Sequence, residues 1–443
     1  MAKTERAKLF SATVMTGMLA LSVTTGLRQV HADMSGYAVQ TASTVGGFGG
    51  STTGGSQATA AHTYTVTDRA SLLKALGGEH NATPKIIYVS GKIDMNVDAQ
   101  GQTLTATDYA KGTGYNFNSY LAAYAPSTWG KKKVSGVQEA DRVKAQQNQA
   151  AQVVVKVPEN TTIIGEPGAQ LIGGNLVIQQ DNVIVHNLYF ETPYDDFPQW
   201  DPTDEDTGNW NSQYDAISVQ GARNVWLDHN TFDDGTHLDA QNGTYFGREY
   251  QHHDGDTDLT NGADNITVSD NIYRNHDKTM LIGNSDTKKT DAGKLHVTVT
   301  HNLFENTVQR TPRVRYGEVQ VVNNLYQNDG TSTYKFKYAW GLGKNAQIAA
   351  QNNVMNIANA SASDIISKLK GTQLADVGTQ FNGSAVSASK LSHSATDLGT
   401  NDTSQCNANK SSTSNGDEPS WGKCFKVGHN GKRDVKTSLF CQQ

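Results

Sequence analysis

Through the middle of the chain, short runs of β-branched residues alternate with polar ones, then close on an asparagine and a large apolar residue. Six blocks follow this rule: 183–190 (VIVHNLYF), 225–232 (VWLDHNTF), 266–273 (ITVSDNIY), 297–304 (VTVTHNLF), 319–326 (VQVVNNLY) and 348–355 (IAAQNNVM). Their period-two alternation predicts short strands. The recurrent amides are Asn187, Asn230, Asn271, Asn302, Asn324 and Asn353, and the closest pair, Asn302 and Asn324, are 22 residues apart. A motif that returns at this minimal period, with longer gaps between other copies, predicts a solenoid whose coils carry inserted loops. An asparagine side chain both donates and accepts, so stacked copies can bond from coil to coil. Antiparallel hairpins are the alternative, but they would not repeat the motif at the same end of every strand.

Helical signals are few. Asp68 caps the segment 68–76 (DRASLLKAL), which stops at Gly77 and Gly78. The segment 136–151 is rich in Gln, Ala and charge and predicts a surface helix on a long insertion. Residues 194–210 (YDDFPQWDPTDEDTGNW) predict a turn-rich acidic loop, and 358–416 predict loose coils and a surface tail.

Composition narrows the class. In 443 residues, 36% are hydrophobic and 18% charged, which is polar but still globular. Lys3, Arg6 and Lys8 precede an apolar stretch over 9–27, and Val30-His31-Ala32 fits a cleavage site, so 1–32 predicts a signal peptide and a secreted, extracellular protein. That leader carries four cations and one anion, so the net charge of −6 for the whole chain becomes −9 beyond it. This balance argues against a nucleic-acid partner, and no later apolar run is long enough to span a bilayer. Binding of an anionic ligand would have to come from a local basic site. The cysteines, Cys406, Cys424 and Cys441, all lie near the C-terminus, so the body does not depend on disulfides.

Two groups carry candidate chemistry. Asp215 lies in YDAIS, and Asp254 and Asp258 lie in HHDGDTD. If Asp215 sits one coil away from the second segment, the three carboxylates converge, and hard oxygen ligands suit calcium better than zinc. Ordinary turn chemistry is the other reading, since Asp and Gly favour loops. The basic group comprises Lys278 in NHDKT, with Arg310, Arg313 and Arg315 in QRTPRVRYG. A surface ion-pair network explains these equally well. Taken together, metal ligands beside fixed cations could bind a uronate carboxylate through a bridging ion. They could also stabilise the charge left when the C5 proton is removed. Arginine is a poor base, with an ordinary pKa above about 12, so neighbouring cations or alkaline pH would have to assist.

The same residues carry a family resemblance. VWLDH at 225–229, HHDG…D at 252–258, HDKTMLIGNSD at 276–286 and RTPRVRYG at 310–317 resemble the bacterial pectate lyases of polysaccharide lyase family 1, the secreted Bacillus type above all. PQWDPTD at 198–204, YAPSTWGKKK at 124–133 and YAWGLGK at 338–344 extend the match, which runs from about Thr44 to about Ser392. The resemblance implies an all-β fold, a single-stranded right-handed parallel β-helix over 33–400. It also implies calcium-dependent β-elimination of polygalacturonate by a monomer. By position it implies Asp215, Asp254 and Asp258 as calcium ligands, Arg310 as the proton-abstracting base, and Lys278 and Arg315 as binders of substrate carboxylates.

Three features depart from that family. Asp256 adds a carboxylate inside the acidic motif, either as a further ligand or as extra local charge. Gln320 replaces a usual histidine and is expected to tune packing or the edge of the site. The end, 401–443, lacks the family's Trp-x-Pro segment and gathers the cysteines with a basic cluster, which suggests a shifted reading frame between 401 and 421. Three rival functions remain open. A polygalacturonase would use the pair Asp233 and Asp234, a pectin lyase would need no calcium, and a wall-binding solenoid would not turn over.

Overall fold

The computed structural model describes residues 35–388. The expected signal segment, the atypical 401–443 end and its cysteines lie outside the described residues. What is described winds into a parallel β-helix. Each coil visits three sheets in turn. One coil runs through Thr257–Thr260, Asp264–Ser269 and Ile272–Lys278. The next runs through Leu281–Ile282, His296–Thr300 and Leu303–Gln309. The first strand of each coil joins an eight-stranded sheet, the second and third join ten-stranded sheets. We call these the entry, middle and exit sheets. Strand pairs between coils are parallel, apart from the exit sheet's final pair.

Alternation sets which side chains enter the core. In Arg223–Asp228, Val225 and Leu227 join the central apolar cluster, while Trp226 and Asp228 face away from it. Register is kept from coil to coil, with Val225 beside Val183 and Ile266. The large residues after the asparagines therefore stack. Phe190, Phe232, Tyr273, Phe304 and Tyr326 form a column with ring centroids 4.7–5.3 Å apart.

The turn from middle to exit sheet uses two consecutive positions. The first is left-handed, with φ between 50° and 58° at Asn187, His229, Asp270, His301, Asn323 and Asn352. Asn and Asp tolerate this conformation better than most residues. The second holds Asn230, Asn271, Asn302, Asn324 and Asn353, all buried. From Asn271 onward, each Oδ1 accepts from the backbone N–H and the side-chain amide of the previous coil's asparagine, at 2.9–3.1 Å. Asn187 is not in this ladder, contrary to the sequence reading. It occupies the left-handed position, one place early, and donates to the Gly165 carbonyl. Leu188 stands where the ladder would continue, and its N–H donates to Asn230.

The helix Arg69–Leu76 has the expected Asp68 cap and ends at Gly77, with φ of 71°. Two loop expectations need correction. Helix Val137–Val153 is not a simple surface helix, because Glu139, Arg142, Gln146 and Gln149 are buried. Arg142 makes two bonds to Glu139 and one to the Phe197 carbonyl. The acidic loop folds into a hairpin of Gln199–Asp201 with Asn209–Asn211, placing Trp200 opposite Trp210. Those two rings, with Tyr120, Tyr124 and Tyr250, make a second apolar core outside the coils. The segment ahead of the first strand also had no sequence signal. It crosses the outer face of the middle sheet, where Thr53 and Gly54 donate to Asn182.

Replacing Asn302 by leucine orphans the backbone N–H of Asn271 and leaves its side-chain amide only the Leu227 carbonyl. An unpaired buried donor costs about 1–3 kcal/mol, so the urea midpoint should fall correspondingly. Asn187→Ala, outside the ladder, should cost less in the same measurement.

Candidate active site

Connections from the exit sheet back to the entry sheet differ sharply in length. Those over 95–153, 192–216 and 234–256 are long, whereas 279–280 and 310–312 are tight. A recessed edge follows, with tall loops on one side and short turns on the other. The predicted residues all occupy these connections or the strands beside them. Asp215 lies two residues ahead of Ile217–Gln220, and Asp258 lies within Thr257–Thr260. Lys278 ends Ile272–Lys278, and Arg310 sits in the turn before Arg313–Val314. Ser218 pairs with Asp258 and Leu281 with Arg313. Their neighbours Val219, Leu259, Ile282 and Val314 fill the core, so the alternation turns Asp258 and Arg313 outward.

The structure brings the three predicted aspartates together. Asp215 accepts from Ser218 Oγ at 2.6 Å and from Gly255 N–H at 3.0 Å. Asp258 accepts from Leu281 N–H at 3.1 Å, and Lys278 Nζ donates to Asp254 at 3.3 Å. Burial, then the charges of Asp258 and Asp254, push the Asp215 carboxyl well above its usual range. Burial and Asp254 push Asp258 up to about 7, against the pull of Arg310. Gly255 lies between the two buried groups. A Cβ there would stand 2.5 Å from Asp258 Oδ1 and 2.8 Å from Asp215 Oδ1. Only glycine leaves that space open. An oxygen-lined cradle with crowded negative charge suits a hard divalent cation.

The cations divide into paired and unpaired. Arg315 is held by Asp286 at 3.0 Å, with its Nη1 on the Gly283 and Asn284 carbonyls. Asp286 also pairs with Lys370 at 2.6 Å. Arg310 and Arg313 form no ion pair among the described residues, and the buried Nε of each lacks a hydrogen-bond partner. Burial and the charges of Arg315 and Arg310 pull the Arg313 guanidinium down to about 10. Arg310 is near enough to Asp258 to bias its carboxyl, so acid and base line the same recess.

Asp256 does not join the cradle. It is wholly buried and accepts from Thr192 Oγ1 at 2.8 Å, in the field of His276 and Asp234. Gln320 is likewise remote, accepting from Thr298 in the middle sheet at 2.9 Å, so it concerns packing and not the site's edge. Asp234 is fully buried between His276 and Tyr334, out of reach for the paired-carboxylate chemistry of a hydrolase.

Two tighter clusters of ligand-type atoms, each within 4.8 Å, lie elsewhere: Asp228, His229 and Asp270, and Asp234, Asp239 and His253. Both are already satisfied by protein donors. Asp228 accepts from Tyr37, His229 and Ser269. His253 directs both ring nitrogens at carbonyls, of Pro193 and His237, which leaves no lone pair for a metal.

The molecule is thus a parallel β-helix whose recessed edge sets clustered carboxylates beside unpaired guanidinium groups, an arrangement of the β-helical polysaccharide lyase class, as the comparisons with known proteins show. A family model described as pectate lyase matches residues 128–415. A pectate lyase of Bacillus subtilis (strain 168) is 48% identical over 86% of this chain and 92% of its own length. Pectate lyase A of Dickeya chrysanthemi is 34% identical over 88% and 90%. A solved pectate lyase bound to hexasaccharide superposes with a TM-score of 0.79 at 49% identity, covering 82% of this chain and 92% of that one. The chain belongs to the pectate lyase family.

Gly255→Ala should keep the coil intact, since its surroundings are side-chain oxygens, yet close the cradle. Calorimetric titration with calcium should show affinity at least tenfold weaker (about 1.4 kcal/mol), with the circular dichroism spectrum unchanged.

Proposed function

We propose that this enzyme cleaves polygalacturonate by calcium-dependent β-elimination in the recess between Asp215, Asp254, Asp258 and Arg310. The observation that carries the reading is the cradle around Gly255 next to an unpaired Arg310 whose Nε is buried. Asp215, Asp254 and Asp258 are assigned to the cation. Bound there, calcium supplies positive charge to the galacturonate carboxylate and so acidifies the C5 proton. Lys278, beside Asp254, binds the same carboxylate region. Arg315 is fixed by Asp286 and offers its remaining Nη2 to a neighbouring sugar acid. Arg310 takes the C5 proton. As the C4–O4 bond breaks, the C4=C5 double bond forms, and water protonates the departing oxygen. The product is a 4,5-unsaturated oligogalacturonide. Arginine yields its proton only in alkaline medium, so turnover should rise with pH.

Pectin lyase is disfavoured, because a neutral ester gives three clustered carboxylates no purpose. We place the enzyme outside the cell, acting as a monomer. The basic, apolar and small-residue order of 1–32 supports export. Among the described residues, no helix is long and apolar enough to cross a membrane.

Ultraviolet absorbance of unsaturated product tests the reaction. Arg310→Lys should lower turnover about 10²–10⁴-fold, the usual worth of a general base, while polygalacturonate binding persists. A chelator should abolish activity and calcium restore it, whereas chelator-resistant turnover would reject the cradle. The Asp258 carboxyl, pushed up to about 7, holds its proton below that pH, and the Asp215 carboxyl is raised as well. A cation must displace those protons. Calcium affinity should therefore fall as pH drops through about 7, with proton release seen by calorimetry in buffers of differing ionisation enthalpy.

A further inference from the structure

His276 is wholly buried, two residues before Lys278 in strand Ile272–Lys278. Its Nδ1 donates to Asp234 Oδ1 at 2.6 Å, and its Nε2 donates to the Asp254 carbonyl at 3.0 Å. A carbonyl oxygen only accepts, so Nε2 carries a hydrogen whatever the state of Nδ1. Asp256 Oδ1 stands 3.7 Å from Nδ1.

The ring is itself anchored. Asp234 Oδ2 accepts from Tyr334 Oη at 2.6 Å, and Tyr334 Oη accepts from the Asp239 N–H at 2.9 Å. Tyr334 belongs to the 329–339 connection, several coils from Asp254. A buried chain of bonds thus runs from Tyr334 through Asp234 and His276 to one backbone carbonyl. That carbonyl belongs to Asp254, whose side chain at 30% exposure is the least buried of the cradle. Among the described residues, its side chain is held by Lys278 alone. Repulsion from Asp215 and Asp258 drives this residue outward, and a mobile ligand pays ordering entropy on binding.

We infer that His276 is a positioning residue for Asp254: its Nε2–H pins the Asp254 carbonyl and thereby sets how tightly the cradle holds its cation. The inference rests on the calcium reading above.

The test is calcium titration calorimetry on the chelator-stripped full chain, with melting in chelator recorded in parallel. His276→Gln keeps an amide donor near the Nε2 position. His276→Asn keeps one near Nδ1 but falls short of Asp254. Loss of a partner to a metal ligand commonly costs 10–100-fold in affinity. His276→Asn should therefore bind calcium about 10–100-fold more weakly, while His276→Gln stays within about threefold of the unchanged protein, and both should melt alike in chelator. The role is overturned if His276→Asn binds as the unchanged protein does, or if His276→Gln falls equally far. Should His276→Asn not fold, Tyr334→Phe decides. A drop of about threefold or more supports the chain of bonds, and an unchanged affinity overturns it. An unchanged protein that takes up no calcium rejects the cradle itself, a result distinct from either.

Discussion

The parallel ladder between coils is the constraint on which everything else rests. Parallel strands cannot close through a tight hairpin, so each must wait for a full turn of chain before it finds a partner. The two-residue asparagine turn makes every wait end in the same register. Its first position forces the chain to bend, and its second locks that bend to the coil above. Because the ladder is buried and fully paired, a one-residue slip would orphan donors and turn the aromatic column outward. Rigidity of this kind is what lets residues from separate coils meet at the entry sheet.

Catalytic groups cluster at that sheet because of loop length and not because of the coil itself. Long connections over 192–216 and 234–256 are stiffened by their own aromatic core. Tight turns at 279–280 and 310–312 leave the next coils low. Charged side chains on outward positions at this step face a polymer-sized recess while their backbones remain in the ladder. The arrangement separates stability from chemistry, since the core residues Leu259 and Ile282 alternate with the functional ones along the same strands.

Much of this was legible in the sequence. The repeat exposed the solenoid, and the acidic and basic motifs held Asp215, Asp254, Asp258, Lys278 and Arg310, which the fold brings to one edge. The misplacement of Asn187 shows the limit. Two adjacent turn positions both favour asparagine, one for backbone shape and one for hydrogen bonding, so residue identity alone cannot separate them. The helix 137–153 misled because its buried face is polar, held by Arg142 and Glu139 and not by apolar periodicity. His276 was quoted inside a motif yet given no role, because its partners, Asp234 and the Asp254 carbonyl, lie in other coils. Arg315 was read as free for substrate, while Asp286 already claims much of its guanidinium.

Charge balance explains why such a site survives burial. Three carboxylates close together would ordinarily keep protons, and two unpaired guanidinium groups would ordinarily seek counter-ions. Here each set carries the other's cost only in part, because a direct ion pair between Arg310 and Asp258 would extinguish both functions. Lys278 compensates Asp254, and His276 bonds to Asp234 one layer deeper. The remaining excess, negative around Gly255 and positive around Arg310 and Arg313, is left for a divalent cation and a polyanion to neutralise together. Binding of either should then strengthen binding of the other, since each relieves the repulsion that the first leaves behind.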